Sequence, residues 1–103
     1  MTRPPFVERA ISSLLGSLGQ TETSLRRAVF DRARLEYGEV PENIAALVEK
    51  IAVQPWAVTD DDISHACEAG YSEDQLFELI LAAAAGAGVR RLDAGLRAME
   101  EAR

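Results

Sequence analysis

Residues able to carry out chemistry lie between the middle of the chain and its last third. Three consecutive aspartates, Asp60 to Asp62, could hold a metal ion, and His65 and Cys67 could act as a base and a nucleophile. Successive residues of a helix point about 100° apart, so neither the three carboxylates nor two residues two positions apart converge. We therefore predict no metal site and no Cys–His catalytic pair. A half-buried Cys67 and a surface or interface His65 are expected instead.

An aromatic residue and two arginines flank this segment. Trp56 is the only tryptophan. It could line a ligand pocket with Tyr37 or Tyr71, although filling the core or an interface is the expected role. Arg90 and Arg91 follow a long uncharged run. One of them could bind an anion, but an ion pair with a carboxylate of the acidic middle segment is the expectation.

Helices must position these residues, because no segment alternates with the period of a strand. The longest predicted helix begins at an N-cap, Ser72, with Gln75 completing a capping box, and runs to Met99. Its apolar residues recur at steps of three and four: Phe77, Ile80, Leu81, Ala84, Gly88, Leu92, Gly95 and Met99. No charge lies between Leu79 and Val89, so we expect this central part to be covered on every side.

The length of this helix predicts assembly. The 27 residues from Glu73 to Met99 would extend about 40 Å, whereas a compact chain of 103 residues is about 33 Å across. Either the helix bends at Gly86 or Gly88, or its far end packs on another subunit. Small residues at four-residue spacing, among them Ala84 and Gly88, would let another helix approach closely. We predict a straight helix that joins copies of the chain into a homo-oligomer.

Shorter helices are predicted upstream, which makes residues 1–103 a single all-α domain, a bundle of about five helices. Their bounds are expected at Phe6 to about Leu18, Thr21 or Thr23 to about Tyr37, Pro41 to Gln54, and Thr59 to Gly70. Residues 1–20 are expected to form an accessory or less ordered helix. In the second helix the residues predicted to face largely outward are Arg26, Arg27, Asp31, Arg32 and Arg34.

Charge and composition limit the partners. The net charge of −6 argues against a nucleic acid or an anionic membrane, since phosphate neutralisation needs clustered lysines and arginines. Between Glu36 and Glu78 there are eleven acids and one base, and elsewhere six acids and ten bases. These segments could complement each other within or between subunits.

The compartment is predicted from Cys67 and the first residues. A single cysteine forms no intrachain disulfide and no CxxC pair. Met1 to Pro5 leads into no apolar stretch of the signal-peptide kind, so the expected compartment is a reducing cytosol. No cofactor motif is present in the sequence.

One stretch carries a resemblance. The run Val58-Thr59-Asp60-Asp61-Asp62-Ile63 leads to Ala69-Gly70-Tyr71-Ser72-Glu73, and then to a long Ala-rich segment through Ala84-Ala85-Gly86-Ala87-Gly88. This pattern resembles the carboxymuconolactone decarboxylase and alkyl hydroperoxidase D-like (AhpD-like) superfamily over about residues 40 to 99. The resemblance implies an all-helical fold whose members assemble as dimers, trimers or hexamers.

The resemblance also limits the function. Peroxidatic members carry C-x-x-C-x-x-x-H before the helix-ending glycine, and the corresponding positions fall near Pro55, Val58 and Asp62. Because a dithiol mechanism needs a nucleophilic and a resolving cysteine, thiol peroxidase activity is not expected.

Two functions of different classes remain. The first is a non-redox, oligomeric binding or scaffold module. The second is a lyase of the lactone decarboxylase type, acting without metal or cofactor on a small carboxylated substrate. Its candidate residues would be His65, Asp62 and Arg90, with Trp56 as a ligand-binding residue. A pocket that holds Trp56 beside an acid or a histidine would favour the lyase. Solid packing between the fourth and fifth helices, without a cavity, would favour the module.

Overall fold

The computed structural model describes residues 2–16 and 19–103 and is organised around α5 (Glu73–Glu101), a helix of 29 residues. The predicted start is confirmed: the Ser72 side chain accepts the Gln75 N–H at 3.1 Å, and the Gln75 side chain accepts the Ser72 N–H at 2.9 Å. The helix continues through Gly86 and Gly88 without a break. At about 1.5 Å per residue it is about 44 Å long, and the longest dimension of the molecule is 50 Å.

Four shorter helices pack around α5. They are α1 (Pro5–Gly16), α2 (Thr23–Ala33), α3 (Glu42–Val53) and α4 (Asp60–Glu68), and a 3₁₀ turn over Pro55–Ala57 joins α3 to α4. The described part of the chain contains no strand, which confirms the all-α prediction with five helices. The predicted end of α1 at Leu18 lies outside the described residues. Within the described ranges, no helix is long and apolar enough to cross a membrane.

The core lies between α2, α3 and α5. Its fully buried side chains include Val29, Ala33, Ile44, Leu47, Val48, Leu76, Leu79, Ala82 and Ala83. The helices α2 and α5 come closest at Gly86, where an added Cβ would lie 2.3 Å from the Phe30 carbonyl oxygen. Glycine is therefore required here for the close approach of two backbones rather than for its conformational freedom.

Two helices end in the same hydrogen-bonding motif, with different residues at its key position. In α4 the Tyr71 N–H donates to the Ala66 carbonyl, and Gly70 takes a φ of 109°. This is a Schellman ending, with glycine at its left-handed position as predicted. In α2 the Glu36 N–H donates to the Asp31 carbonyl across Leu35, a leucine with a φ of 64°.

The predicted end of α2 is therefore wrong, whereas its start at Thr23 agrees with the prediction. It ends at Ala33, four residues before Tyr37, because the left-handed Leu35 turns the chain away. A non-glycine residue in this region is strained by about 1–2 kcal/mol. At the other end Glu22 occupies the N-cap position and makes no side-chain capping hydrogen bond, so neither predicted threonine caps the helix.

The outward placement of Arg26 is also wrong, since its side chain is only 2% exposed. Arg26 shares the α5-facing side of α2 with the buried residues Val29, Phe30 and Ala33, at helical spacing. Its Nη1 donates to the Thr21 carbonyl at 2.6 Å and lies 3.3 Å from the Glu78 Oε1 of α5. A buried charge can therefore occupy this face because a carboxylate on the opposing helix receives it.

The chain buries a different face of α5 from the predicted one. The buried residues are Leu76, Leu79, Ala82, Ala83, Gly86, Ala87 and Val89. Most of the predicted set instead lies on a second face, which we call the open face: Phe77, Leu81, Ala84, Gly88, Leu92, Gly95 and Met99. Phe77 is 66% exposed, Leu81 45% and Met99 58%. The uncharged middle of α5 is thus covered on one side only by the described part of the chain.

Candidate functional site

Asp62 forms hydrogen bonds that stabilise the fold. Its carboxylate accepts the Thr59 N–H at 2.9 Å, and the Thr59 hydroxyl accepts the Asp62 N–H, which closes a capping box at the start of α4. The Lys50 Nζ of α3 lies 2.9 Å from the same carboxylate. The hydrogen bond from Lys50, followed by the one from the Thr59 backbone, holds the pKa of Asp62 below its ordinary value. A carboxyl that remains ionised in this way ties α3 to α4.

The lowered pKa of Asp62 predicts a pH-dependent contribution to stability. A carboxyl whose pKa falls on folding stabilises the protein above its unfolded pKa of about 3.9, and that contribution is lost as the pH falls further. Asp62→Asn should therefore lower the urea unfolding midpoint at pH 7, and the difference from the unmodified chain should shrink near pH 3. Asp61→Asn, one residue away and exposed, should change the midpoint little at either pH. A gap that is equal at both pH values would contradict this assignment.

His65 and Trp56 lie at the surface. His65 and Cys67 are both exposed on α4, so the expected half-burial of Cys67 is wrong. Trp56 lies in the 3₁₀ turn and is 80% exposed, which makes it neither core nor filler within one chain. Among the described residues, no three His, Cys, Asp or Glu side chains come together in a way that could hold a metal ion.

Arg90 donates a hydrogen bond to a backbone carbonyl and does not form the predicted ion pair with a carboxylate of the acidic middle segment. The Nη2 atoms of Arg90 and Arg91 donate to the Ala52 carbonyl oxygen at 2.9 and 3.1 Å. Ala52 lies in the last turn of α3, whose carbonyls lack intrahelical partners and form the negative end of the helix dipole. The two guanidinium groups therefore fasten the end of α3 to α5, an arrangement that explains both arginines structurally.

None of the five most prominent hollows in the described part of the molecule is lined by Trp56, Asp62, His65 or Arg90. The hollow inside the core, between α3 and α5, has a volume of only about 10 Å³. Asp62 and Arg90 make the structural contacts described above, and Trp56 and His65 lie at the surface.

Among the hollows at the surface, one differs from the others because apolar residues line all of it. It is a groove of about 450 Å³ between α1 and α5. Its lining is Phe6, Val7, Ala10, Ile11, Leu14, Leu81, Ala85, Gly88, Val89 and Leu92. Three of these, Leu81, Gly88 and Leu92, belong to the open face, so the groove and the open face form one continuous apolar surface.

Ion pairs connect the start of α1 to α5. Arg3 lies 2.8 Å from Glu8 of α1 and 3.7 Å from Asp93 of α5. Arg34, after the end of α2, lies 3.7 Å from the same aspartate. These contacts hold the start of α1 beside the C-terminal half of α5. The sequence showed the apolar residues of α5, but the part played by α1 depends on contacts between residues some ninety positions apart.

The fold and this surface define a small all-helical protein with an uncovered apolar face on α5. Comparison with protein-family models finds no matching family, and comparisons with curated proteins and with solved structures find no match.

Proposed function

We propose that this protein is a non-redox, oligomeric helical module of the carboxymuconolactone decarboxylase-like class. It serves binding or scaffolding, and the open face of α5 joins its copies. Support for the class comes from the Gly70 ending of α4, the Ser72 capping box and the continuous Ala-rich α5. These are the features on which the resemblance rests. Support for a non-redox role comes from the sequence, in which Cys67 is the only thiol.

The open face is the observation that carries the proposal. Phe77, Leu81 and Met99 expose large apolar side chains along a single helix face. Contiguous apolar surfaces of this kind mark interaction sites in soluble proteins. The open face of α5, about 10 Å wide and 40 Å long, together with the 12 residues of α1, which extend about 18 Å, offers roughly 600 Å². Two copies would bury about 1,200 Å² in total, the lower limit of an interface of standard size.

The lyase alternative receives less support from the geometry. Lyase chemistry on a small substrate needs a general acid or base beside a concave pocket. His65 is exposed, and it lines none of the five hollows. The apolar groove between α1 and α5 carries no titratable lining residue. Its chemistry suits the apolar side chains of a partner better than proton transfer.

Light scattering after gel filtration tests the self-association. The unmodified chain should have a mass that is a multiple of 11.2 kDa at micromolar concentration. Leu81→Asp should shift it towards the monomer, because an unpaired buried carboxylate costs about 3 kcal/mol, which is about a hundredfold in the dissociation constant. Leu35→Asp is the control, because this leucine is also exposed but lies just after the end of α2, outside the open face. It should leave the mass unchanged.

Two results would refute the interface. If the chain stays monomeric throughout the micromolar range, the open face does not mediate self-association. An oligomer that survives Leu81→Asp uses another surface. Circular dichroism of Leu81→Asp should retain the helicity of the unmodified chain, since the side chain already lies partly in water.

A further inference from the structure

We propose that the partner on the open face is a second copy of this chain, paired about a two-fold axis, with the two α5 helices antiparallel and crossing at Gly88. The inference rests on the proposed function and specifies the partner and the register of the contact. It follows from the spacing and the sizes of the residues along α5 and from the direction of its helix dipole.

The spacing of the open face is regular. It repeats every eleven residues: Phe77, Gly88 and Met99 are eleven apart, as are Leu81 and Leu92, and Ala84 and Gly95. An eleven-residue repeat corresponds to about 3.67 residues per turn, close to the 3.6 of a straight helix. The open face therefore runs along α5 almost without winding around it. A second straight helix can remain in contact over the whole length.

The sizes of the side chains favour an antiparallel partner. With Gly88 of each copy at the axis, Leu81 of one copy lies opposite Gly95 of the other. In the same register Ala84 lies opposite Leu92, and Phe77 lies opposite Met99. Large side chains thus face small residues near the axis, which is how packed layers interdigitate. A parallel pair would instead place Leu81 against Leu81 and Gly95 against Gly95, with crowding at one level and a void at another.

The structure leaves space for this approach. No described atom lies within 4 Å of a Cβ added at Gly88 or at Gly95. The groove between α1 and α5 opens at the same place, with Phe6 and Ala10 on its α1 side. The helix of a second copy can therefore lie along α5 and contact α1 at the same time. Gly88 at the crossing point lets the two backbones come close.

The helix dipoles favour the antiparallel direction, because in such a pair the positive N-terminal end of each α5 lies beside the negative C-terminal end of the other. The side-chain charges do not distinguish the two directions, since Glu73 and Asp74 lie at one end of α5 and Glu100 and Glu101 at the other.

Disulfide trapping tests the register. All variants are made in a Cys67→Ser chain, so that the native exposed thiol does not react. Gly88→Cys should form a covalent dimer as its main product under mild oxidation, because the two positions meet at the axis and a disulfide spans Cα atoms about 4.4–6.8 Å apart. Leu81→Cys alone and Gly95→Cys alone should each give little dimer. The chain carrying both substitutions should give a dimer efficiently, since each cysteine then faces the other type.

Two controls show that a trapped dimer reports the proposed contact. The two positions in the double variant are about 21 Å apart along one helix, so its disulfides must join two chains. Ala94→Cys, which is exposed and outside the open face, reports random collision and should give little dimer.

Each contrary outcome has a distinct meaning. Efficient trapping of Leu81→Cys alone would show a parallel pair and overturn the register. Light scattering that shows an oligomer, without trapping of Gly88→Cys or of the double variant, would also overturn the register but leave the proposed function standing. A monomer by light scattering would refute both.

Discussion

Replacing Arg26 with methionine should lower the free energy of unfolding by about 3–5 kcal/mol. The substitution keeps most of the apolar volume of the side chain and removes its charge. Glu78, which is mostly buried, then loses the guanidinium 3.3 Å from its Oε1. Removing one partner of a buried ion pair leaves the other charge uncompensated, and this penalty exceeds the net contribution of the intact pair. For a domain of this size, it is a large part of the total stability.

Two comparisons make the Arg26 prediction specific. Arg27→Met changes the neighbouring residue, whose guanidinium is exposed and lies 3.6 Å from Asp31 in the same helix, so its effect should remain below about 0.5 kcal/mol. Arg26→Met combined with Glu78→Leu should recover part of the loss, because no unpaired charge remains. The measurement is urea unfolding followed by circular dichroism. Equal effects of Arg26→Met and Arg27→Met would show that the buried pair does not stabilise the fold.

The helix ends that the sequence predicted correctly depend on local chemistry. The capping boxes at Thr59 and Ser72 join residues three positions apart, and Gly70 ends α4 because glycine readily takes a positive φ. Such signals need no knowledge of the rest of the fold. They were sufficient to define α4 and the start of α5.

The failures involve contacts between distant segments. The burial of Arg26 requires Glu78, 52 residues away. The early end of α2 requires Leu35 to tolerate a left-handed conformation, which its residue type disfavours. Gly38 follows the predicted end of α2 as a helix-ending glycine would, yet an added Cβ there would lie 2.5 Å from the Ala28 carbonyl oxygen, so it serves close packing. Tertiary contacts overrode local preference in each case.

The candidate site residues show what local spacing can and cannot predict. Helical spacing alone predicted that His65 and Cys67 would not converge. Helical spacing does not predict that Arg90 donates to the Ala52 carbonyl, because Ala52 lies 38 residues away in the sequence. The uncharged middle of α5 predicts that all its faces are buried, but it does not predict which face is buried by the same chain and which by a partner. The face left open is therefore the information that only the structure adds, and it carries the proposed interface.

Gly86→Val should destabilise the fold by about 3 kcal/mol or more. A Cβ at this position would lie 2.3 Å from the Phe30 carbonyl oxygen and 3.0 Å from the Ala33 Cβ. The first of these contacts is with backbone, which cannot rotate away. The helices α2 and α5 would have to separate, and the buried layer between them would loosen. Urea unfolding at low protein concentration measures this loss on the single chain.

Gly88→Val is the matched substitution, two residues further along the same helix. No described atom lies within 4 Å of its added Cβ, and valine and glycine differ by only a few tenths of a kcal/mol in helix propensity. Its unfolding free energy should therefore stay within about 0.5 kcal/mol of the unmodified chain. Its self-association should be strongly weakened, because two valine side chains that meet at the axis stay at van der Waals distance and hold the backbones apart, whereas two cysteines there can close the gap by forming a disulfide. If Gly88→Val associated as well as the unmodified chain, the crossing at Gly88 would be wrong. Opposite behaviour of the two glycines would separate folding, which uses the Gly86 side of α5, from assembly, which uses the Gly88 side.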